Sequence, residues 1–306
     1  MGNNILSFHE RCVIQDWHER GESTRAIARH LNRGPSTISV ELNKVTPYSA
    51  ESAHKMAKEQ LSHRGCNSII TENMKNFIVQ KLKFNHWSFE IIAHILSIST
   101  KTLYNWFNSG LLDLSYNDLP DKGIRRKRKK ETRGKYSNGR SIEERPSEVD
   151  SRKTFGHYEA DTILSGKTKG QAIATVSERF SRMTIVRRLP GRDSESMSNL
   201  LTSLAKELGS NMSSLTVDHG KEFSQYSRIE SQANIPVYFA HAYSPHERGT
   251  NEQRNRVLRR FIPKGRLIEE IDDEELFQIN ILLNTMPLKC LNWRTPLEVF
   301  MENIKF

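Results

Sequence analysis

Asp161, Asp218 and Glu252 are the residues whose types and positions best suit chemistry in this sequence. Asp161 lies in the run His157-Tyr158-Glu159-Ala160-Asp161-Thr162-Ile163-Leu164, Asp218 ends Leu215-Thr216-Val217-Asp218, and Glu252 opens a helical stretch after Tyr243–Gly249. Strand ends and helix starts in a sheet protein meet at its open edge, where sites form. A lone acid at a strand end commonly does no more than shape a turn. Three that converge repel one another strongly unless cations neutralise them. Oxygen donors without Cys or His partners favour Mg²⁺ or Mn²⁺ over Zn²⁺. Two such ions about 3.5–4 Å apart can activate an attacking oxygen and stabilise a leaving one in phosphodiester chemistry. Glu159, two residues before Asp161 on the same strand face, reads either as a secondary active-site group or as an ordinary paired carboxylate. His219, His241 and His246 lack zinc spacing, and the acids at 269–275 read as a solvated helix start, which the backbone dipole favours.

The elements that must position these acids follow from patterning. Residues 157–164, 171–176 and 183–189 alternate as strands with a Gly166–Gly170 turn, which predicts a three-stranded antiparallel meander. Met197, Leu200, Leu201 and Leu204 mark a helix over about 194–208. Residues 215–218 and 236–240 are short apolar strands joined by a helix, and another helix is expected near 274–285. Meander first and alternation afterwards predict an α/β fold: a mixed five-stranded sheet with helices on both faces.

The first hundred residues read as helical. Ile27 and Leu31 share one face, Asn32-Arg33-Gly34 breaks the pattern, and Pro35 opens a second helix in which Ile38 and Leu42 recur at i, i+4. That is a helix-turn-helix outline, whose second helix enters the DNA major groove. Its outer face offers Ser36, Thr37, Ser39, Glu41 and Asn43, with Arg33 and Lys44 at the flanks, to phosphates and base edges. A second unit of the same design runs from Ser88 to Phe107, with Lys101, Thr102 and Asn105 on its second helix and Trp106 and Phe107 assigned to the core.

The chain of 306 residues carries a formal charge of +10, and the stretch from Lys122 to Arg140, including Arg125, Arg126, Lys127 and Arg128, holds +9 of it. With almost no apolar residues it cannot bury a face, and a basic block of this kind commonly contacts phosphate. The expected domains are therefore 1–50, 51–115, a basic linker over 116–150, and 151–306. No apolar run reaches membrane-spanning length, the start has no secretory pattern, and three scattered cysteines suit a reducing compartment. Membrane and disulfide-framework classes are set aside, leaving a protein of a reducing cytosol as the expectation.

The order Asp161, Asp218, Glu252, with 33 residues between the last two, resembles the DDE triad of RNase H-like transposases and integrases. The words Gly156-His157-Tyr158-Glu159-Ala160-Asp161-Thr162-Ile163, Thr216-Val217-Asp218-His219-Gly220-Lys221-Glu222-Phe223, Arg248-Gly249-Thr250-Asn251-Glu252 and Pro263-Lys264-Gly265 resemble the insertion sequence thirty family of bacterial transposases. Arg25-Ala26-Ile27-Ala28-Arg29 with Pro35-Ser36-Thr37-Ile38-Ser39, and Trp87-Ser88 with Thr102-Leu103-Tyr104-Asn105-Trp106, are similar to its two helix-turn-helix units. The resemblance implies an RNase H-like catalytic domain, two Mg²⁺ (or Mn²⁺) ions on Asp161, Asp218 and Glu252, and cleavage and strand transfer at terminal inverted repeats of double-stranded DNA. It also implies a homo-oligomer, at least a dimer, because two element ends must meet. Asn255, Arg256 and Arg259 follow Glu252 on its helix face and would hold phosphates near the acids. The rival readings are a helix-turn-helix regulator without chemistry and a metal-dependent nuclease that never joins strands. Deleting residues 122–140 is expected to flatten the dependence of DNA affinity on salt in a titration series, because each lost phosphate contact removes released counterions.

Overall fold

The computed structural model describes residues 5–62, 69–120, 139–164, 171–241 and 244–305. The Gly166–Gly170 turn and the basic segment with Arg125, Arg126, Lys127 and Arg128 lie outside them. Two compact units are present, residues 1–70 and 71–306.

In the first unit, α1 (Phe8–Glu19), α2 (Thr24–His30), α3 (Pro35–Leu42) and α4 (Ala50–Ser62) enclose Leu6, Ile14, Ile27, Ala28 and Ile38. Ser23 caps α2 by accepting from the Ala26 amide, and Pro35 opens α3. Helix α4 packs against α1, so this unit extends past the boundary expected at residue 50. Glu41, expected on the outer face of α3, is instead buried: Arg11 Nε donates to its Oε1 at 2.6 Å and Lys44 caps its other oxygen. The helical period carries position 41 inward, one turn from Ile38. Arg33 is engaged as well, donating to Glu10 Oε1 at 2.8 Å, and that bond leads the interactions that hold the Glu10 carboxyl down to about 2.

The second unit opens with α5 (Glu72–Lys83), α6 (Phe89–Ile95) and α7 (Thr100–Asn108). Trp106 and Phe107 are buried as expected. Helix α6 joins the core beyond it through Ile91, while His94 stacks on Trp293 at 4.1 Å and Arg260 donates to the His86 carbonyl at 3.0 Å. This helical trio is therefore built onto the sheet domain rather than standing apart from it.

The sheet has six strands where five were expected. They are β1 (Arg140–Ser141), β2 (His157–Leu164), β3 (Ala172–Glu178), β4 (Thr184–Leu189), β5 (Ser214–Val217) and β6 (Val237–Phe239), in the order β1-β6-β5-β2-β3-β4. β2, β3 and β4 form the antiparallel meander, and β2, β5, β6 and β1 run parallel. The extra strand is two residues long, too short to leave an alternating pattern in the sequence. Apart from it, the five strands form the mixed sheet expected from the sequence.

Both faces are covered, as a partly parallel sheet requires. The short α8 (Ser147–Ser151) precedes β2, and on one side α9 (Ser194–Leu208), α10 (Tyr226–Ala233) and α13 (Pro296–Asn303) cover Tyr158, Val176, Leu215 and Val237. On the other, α11 (Gly249–Phe261) and α12 (Asp273–Asn284) cover Ile163, Ile173 and Val186. Edge strand β4 is closed by side chains. Asn284 exchanges hydrogen bonds with the Thr184 backbone (2.9 and 2.8 Å), and Asn280 does the same with Val186 (3.1 and 2.8 Å). Four helix residues rise about 6 Å and two strand residues about 6.6 Å, so the amides satisfy the open ladder.

Helix α11 is fastened to β2 through a buried carboxylate that is itself ion-paired. Glu159, fully enclosed, accepts from Arg179 through Oε1 and from the Asn251 amide through Oε2 at 2.7 Å. Arg179 also donates to the Glu247 and Val149 carbonyls at 3.1 and 3.2 Å. Burial pushes this guanidinium down to about 10, and the Glu159 carboxylate opposes that shift. Both oxygens of Glu159 are thus engaged inside the protein. Glu159→Gln should lower the unfolding free energy by about 3–5 kcal/mol in urea titrations, because it leaves Arg179 buried without a counter-charge.

Candidate active site

Parallel pairing of β2 with β5 aligns Glu159 with Thr216, so two residues further on Asp161, still paired with Thr175 of β3, and Asp218, just past the end of β5, stand at matching heights. Neighbouring strands lie about 4.8 Å apart, which sets the two carboxylates side by side at the carboxyl edge. One guanidinium joins them. Arg248 Nη2 donates to Asp218 Oδ2 at 2.9 Å, while Nη1 lies 3.8 Å from Asp161 Oδ2 and donates to the Ala160 carbonyl at 3.4 Å.

Each carboxylate is also held by its own neighbours. Asp161 Oδ1 accepts from the Thr162 amide at 2.8 Å and Oδ2 from Asn255 Nδ2 at 3.1 Å. Asp218 Oδ1 accepts from the Gly220 amide at 3.0 Å. A third acid, Glu222, lies close by and is nearly buried, with Oε1 accepting from Thr162 Oγ1 at 2.8 Å. Gly220 makes this crowding possible: a Cβ there would sit 2.9 Å from Asp218 Oδ1 and 2.7 Å from the Glu222 carboxyl carbon.

Burial pushes the Asp161 carboxyl up to about 6; Arg248 opposes the shift, and the charges of Asp218 and Glu222 add to it. Asp161 is 28% exposed, Asp218 39% and Arg248 18%, so solvent reaches the pair from one side.

Glu252 is exposed on α11, one turn beyond Arg248 and one turn before Asn255. It shares their helix face, but among the described residues no three His, Cys, Asp or Glu side chains stand close enough together to hold a metal ion. The expected triad is thus gathered as two carboxylates around a guanidinium, with the third acid outside. The donor chemistry of the Asp161–Asp218 pair fits a hard divalent cation: two carboxylates share one positive group that stands where a cation would.

The cations downstream of Glu252 divide. Arg256 is exposed, whereas Arg259 is half-buried and donates to the Leu164 carbonyl at 2.9 Å, its guanidinium pulled down by burial. Asn255 contacts Asp161 and so orients an acid. Arg254 is enclosed, donates to the Leu283 carbonyl at 2.6 Å, and is pushed down to about 9 by burial. It belongs to the packing of α11 on α12 rather than to a basic surface.

On α3, Ser36, Thr37 and Ser39 are exposed, as is Val40, while Lys44 is held against Glu41. On α7, Lys101 and Asn105 are exposed, and Thr102 Oγ1 lies 2.8 Å from Ser99 Oγ at the helix start. Sequence reasoning did not single out Arg248, Glu222 or Thr162. Arg248 and Glu222 stand inside the quoted words, but a loop cation and a second acid carry no periodic signal that says where they point.

The raised Asp161 group has a defined consequence for the chelated protein. Its folded-state value of about 6 exceeds the ordinary 3.8, so the native state binds this proton more tightly than the unfolded chain. The resulting stabilisation is complete below 3.8 and is lost as pH climbs through about 6. In thermal melts with EDTA, the wild type should therefore lose melting temperature relative to Asp161→Asn across that window.

The chain is similar to several known proteins. The helix-turn-helix domain family matches residues 3–44. The probable transposase for insertion-like sequence element IS1161 of Streptococcus salivarius is 33% identical, with 96% of this chain and 94% of that protein covered. Transposase InsI for insertion sequence element IS30C of Escherichia coli (strain K12) is 33% identical, over 98% of this chain and 84% of that one. Among solved structures, the catalytic core domain of BIV integrase covers 49% of this chain and 95% of its own, with 18% identity and a TM-score of 0.37. A third of the residues shared over nearly the full length of both proteins places the chain in the IS30 family of insertion-sequence transposases.

Proposed function

We propose that this protein is a transposase that binds the terminal inverted repeats of its element and catalyses metal-dependent strand cleavage and strand transfer. The observation that carries the reading is the pairing of Asp161 with Asp218 around a single positive group at the carboxyl edge of parallel strands. Asp161, Asp218 and Glu252 are the proposed ligands of Mg²⁺ or Mn²⁺, two ions in all. Glu252 would join the pair from α11, which already reaches Asp161 through Asn255. Ions bound there would supply neutralising charge at both the attacking and the leaving oxygen of the phosphodiester.

The chain's own groups then have distinct tasks. Asn255 and the Thr162 amide fix the orientation of Asp161, and the Gly220 amide fixes that of Asp218. Such outer partners are what hold a ligand oxygen in position. Exposed Arg256 lies on the helix that carries Glu252 and is placed to meet a DNA phosphate. Ser36, Thr37 and Ser39 on α3, with Lys101 and Asn105 on α7, are the proposed groove contacts to double-stranded DNA. The basic residues 122–140 add sequence-independent affinity. Two ends must be held together for joining, which calls for at least a dimer on DNA, and the reaction belongs in the bacterial cytoplasm with the nucleoid. No helix among the described residues is long and apolar enough to cross a membrane.

The test is a strand-joining assay with Mg²⁺ or Mn²⁺ on DNA carrying the element's ends. Wild type should yield new covalent junctions. Asp218→Asn should lower their formation by more than about 100-fold, beyond what loss of an outer partner costs. Cleavage without junctions would make the protein a nuclease, binding without cleavage a regulator, and joining that survives Asp218→Asn would refute the assigned acids.

A further inference from the structure

We infer that Arg248 is the resident cation of the Asp161–Asp218 pair, and that a divalent metal ion enters by exchanging with its guanidinium. The inference rests on the reading of these two aspartates as metal ligands. Arg248 is a positioning residue in this account: it keeps two like charges together in the metal-free protein and sets the affinity for the ion that replaces it.

The geometry separates the backbone of Arg248, which is fixed, from its side chain, which is held loosely. On the backbone side, the preceding Glu247 is clamped from two directions: its carbonyl accepts from Arg179 at 3.1 Å, and its carboxylate accepts from the His241 amide at 2.7 Å. Asn251, three residues on, is tied to Glu159. The side chain has one good ion-pair hydrogen bond, at 2.9 Å to Asp218. Its approach to Asp161 is long at 3.8 Å, and its bond to the Ala160 carbonyl is poor at 3.4 Å. Arg179, by contrast, is sealed against Glu159 and two carbonyls, with a side chain only 2% exposed.

Charge favours the exchange. Two ionised aspartates carry −2, and one guanidinium leaves −1 uncompensated in a half-buried site with Glu222 beside it. A divalent ion cancels the remainder. The chemistry also favours it, because compact carboxylate oxygens are preferred donors for hard dications. A guanidinium in the same place neutralises charge but offers no open coordination position. A single long side chain therefore gives the site a folded, metal-free form that does not fly apart.

The experiment titrates the full chain with MnCl₂, reading free Mn²⁺ by its paramagnetic resonance signal and stability by thermal melting. The variants are Arg248→Gln, which removes the charge, and Arg248→Lys, which keeps the charge but cannot fork to two carboxylates. Arg248→Gln should bind Mn²⁺ about tenfold more tightly, the scale on which a neighbouring opposite charge acts. It should also melt lower in EDTA and recover more on Mn²⁺ addition. Arg248→Lys should shift the same way by a smaller factor, and it carries the test alone if Arg248→Gln does not fold. Equal or weaker Mn²⁺ binding by the variants, with wild type binding, would overturn the inference and leave the metal reading standing. Absence of Mn²⁺ binding by every protein, wild type included, would overturn both.

Discussion

The central constraint is the repulsion between two carboxylates that strand pairing forces together. β2 and β5 run parallel in a register that sets Asp161, within β2, level with Asp218, just past β5. Neither can retreat: Asp161 is held from α11 and from its own strand, and Asp218 by the turn at Gly220. The cost of this arrangement is visible in the raised Asp161 carboxyl and in the guanidinium drawn between the two acids. Much of the surrounding structure can be understood as the means of keeping that pair in place.

Helix α11 is the chief of those means. Its residues 251, 255 and 259 meet β2 at Glu159, Asp161 and the Leu164 carbonyl in turn. A helix turn advances about as far as two strand residues, so a helix laid along a strand can contact it repeatedly. The first of these contacts is a buried amide-to-carboxylate hydrogen bond, the second reaches the candidate site, and the third closes the helix onto the strand end. The same commensurate spacing lets Asn280 and Asn284 of α12 seal the β4 edge. The site is thereby carried by rigid elements on both sides, with the 245–248 turn supplying Arg248 between them.

Much of this was legible beforehand, and the reasons are local. Period-2 alternation marked β2, β3 and β4, and the Leu-rich face of 194–208 marked α9, because each buries one face against one neighbour. The helix-turn-helix outline was legible from a glycine break, a proline start and i, i+4 apolar pairs. The two-residue β1 was not, since its pairing with β6 is a long-range event without local pattern. Glu41 reads from the sequence as a surface charge because charged residues are seldom enclosed unless partners, distant in sequence, are there to receive them. For Glu159 the sequence left two roles open, and its ion pair depends on Arg179 arriving from the next strand.

The chain by itself determined the order of helices and strands, the family words, and the three acids that are candidates for the site. These properties reside in periodicity and in residue type, which are written along one dimension. Tertiary structure alone decided that Asp161 and Asp218 share one guanidinium, that Glu222 crowds beside them, and that Glu252 stands exposed one turn away. Those facts depend on strand register and on the direction of side chains brought together from distant segments, and both are set only when the sheet closes and α11 is pinned across it.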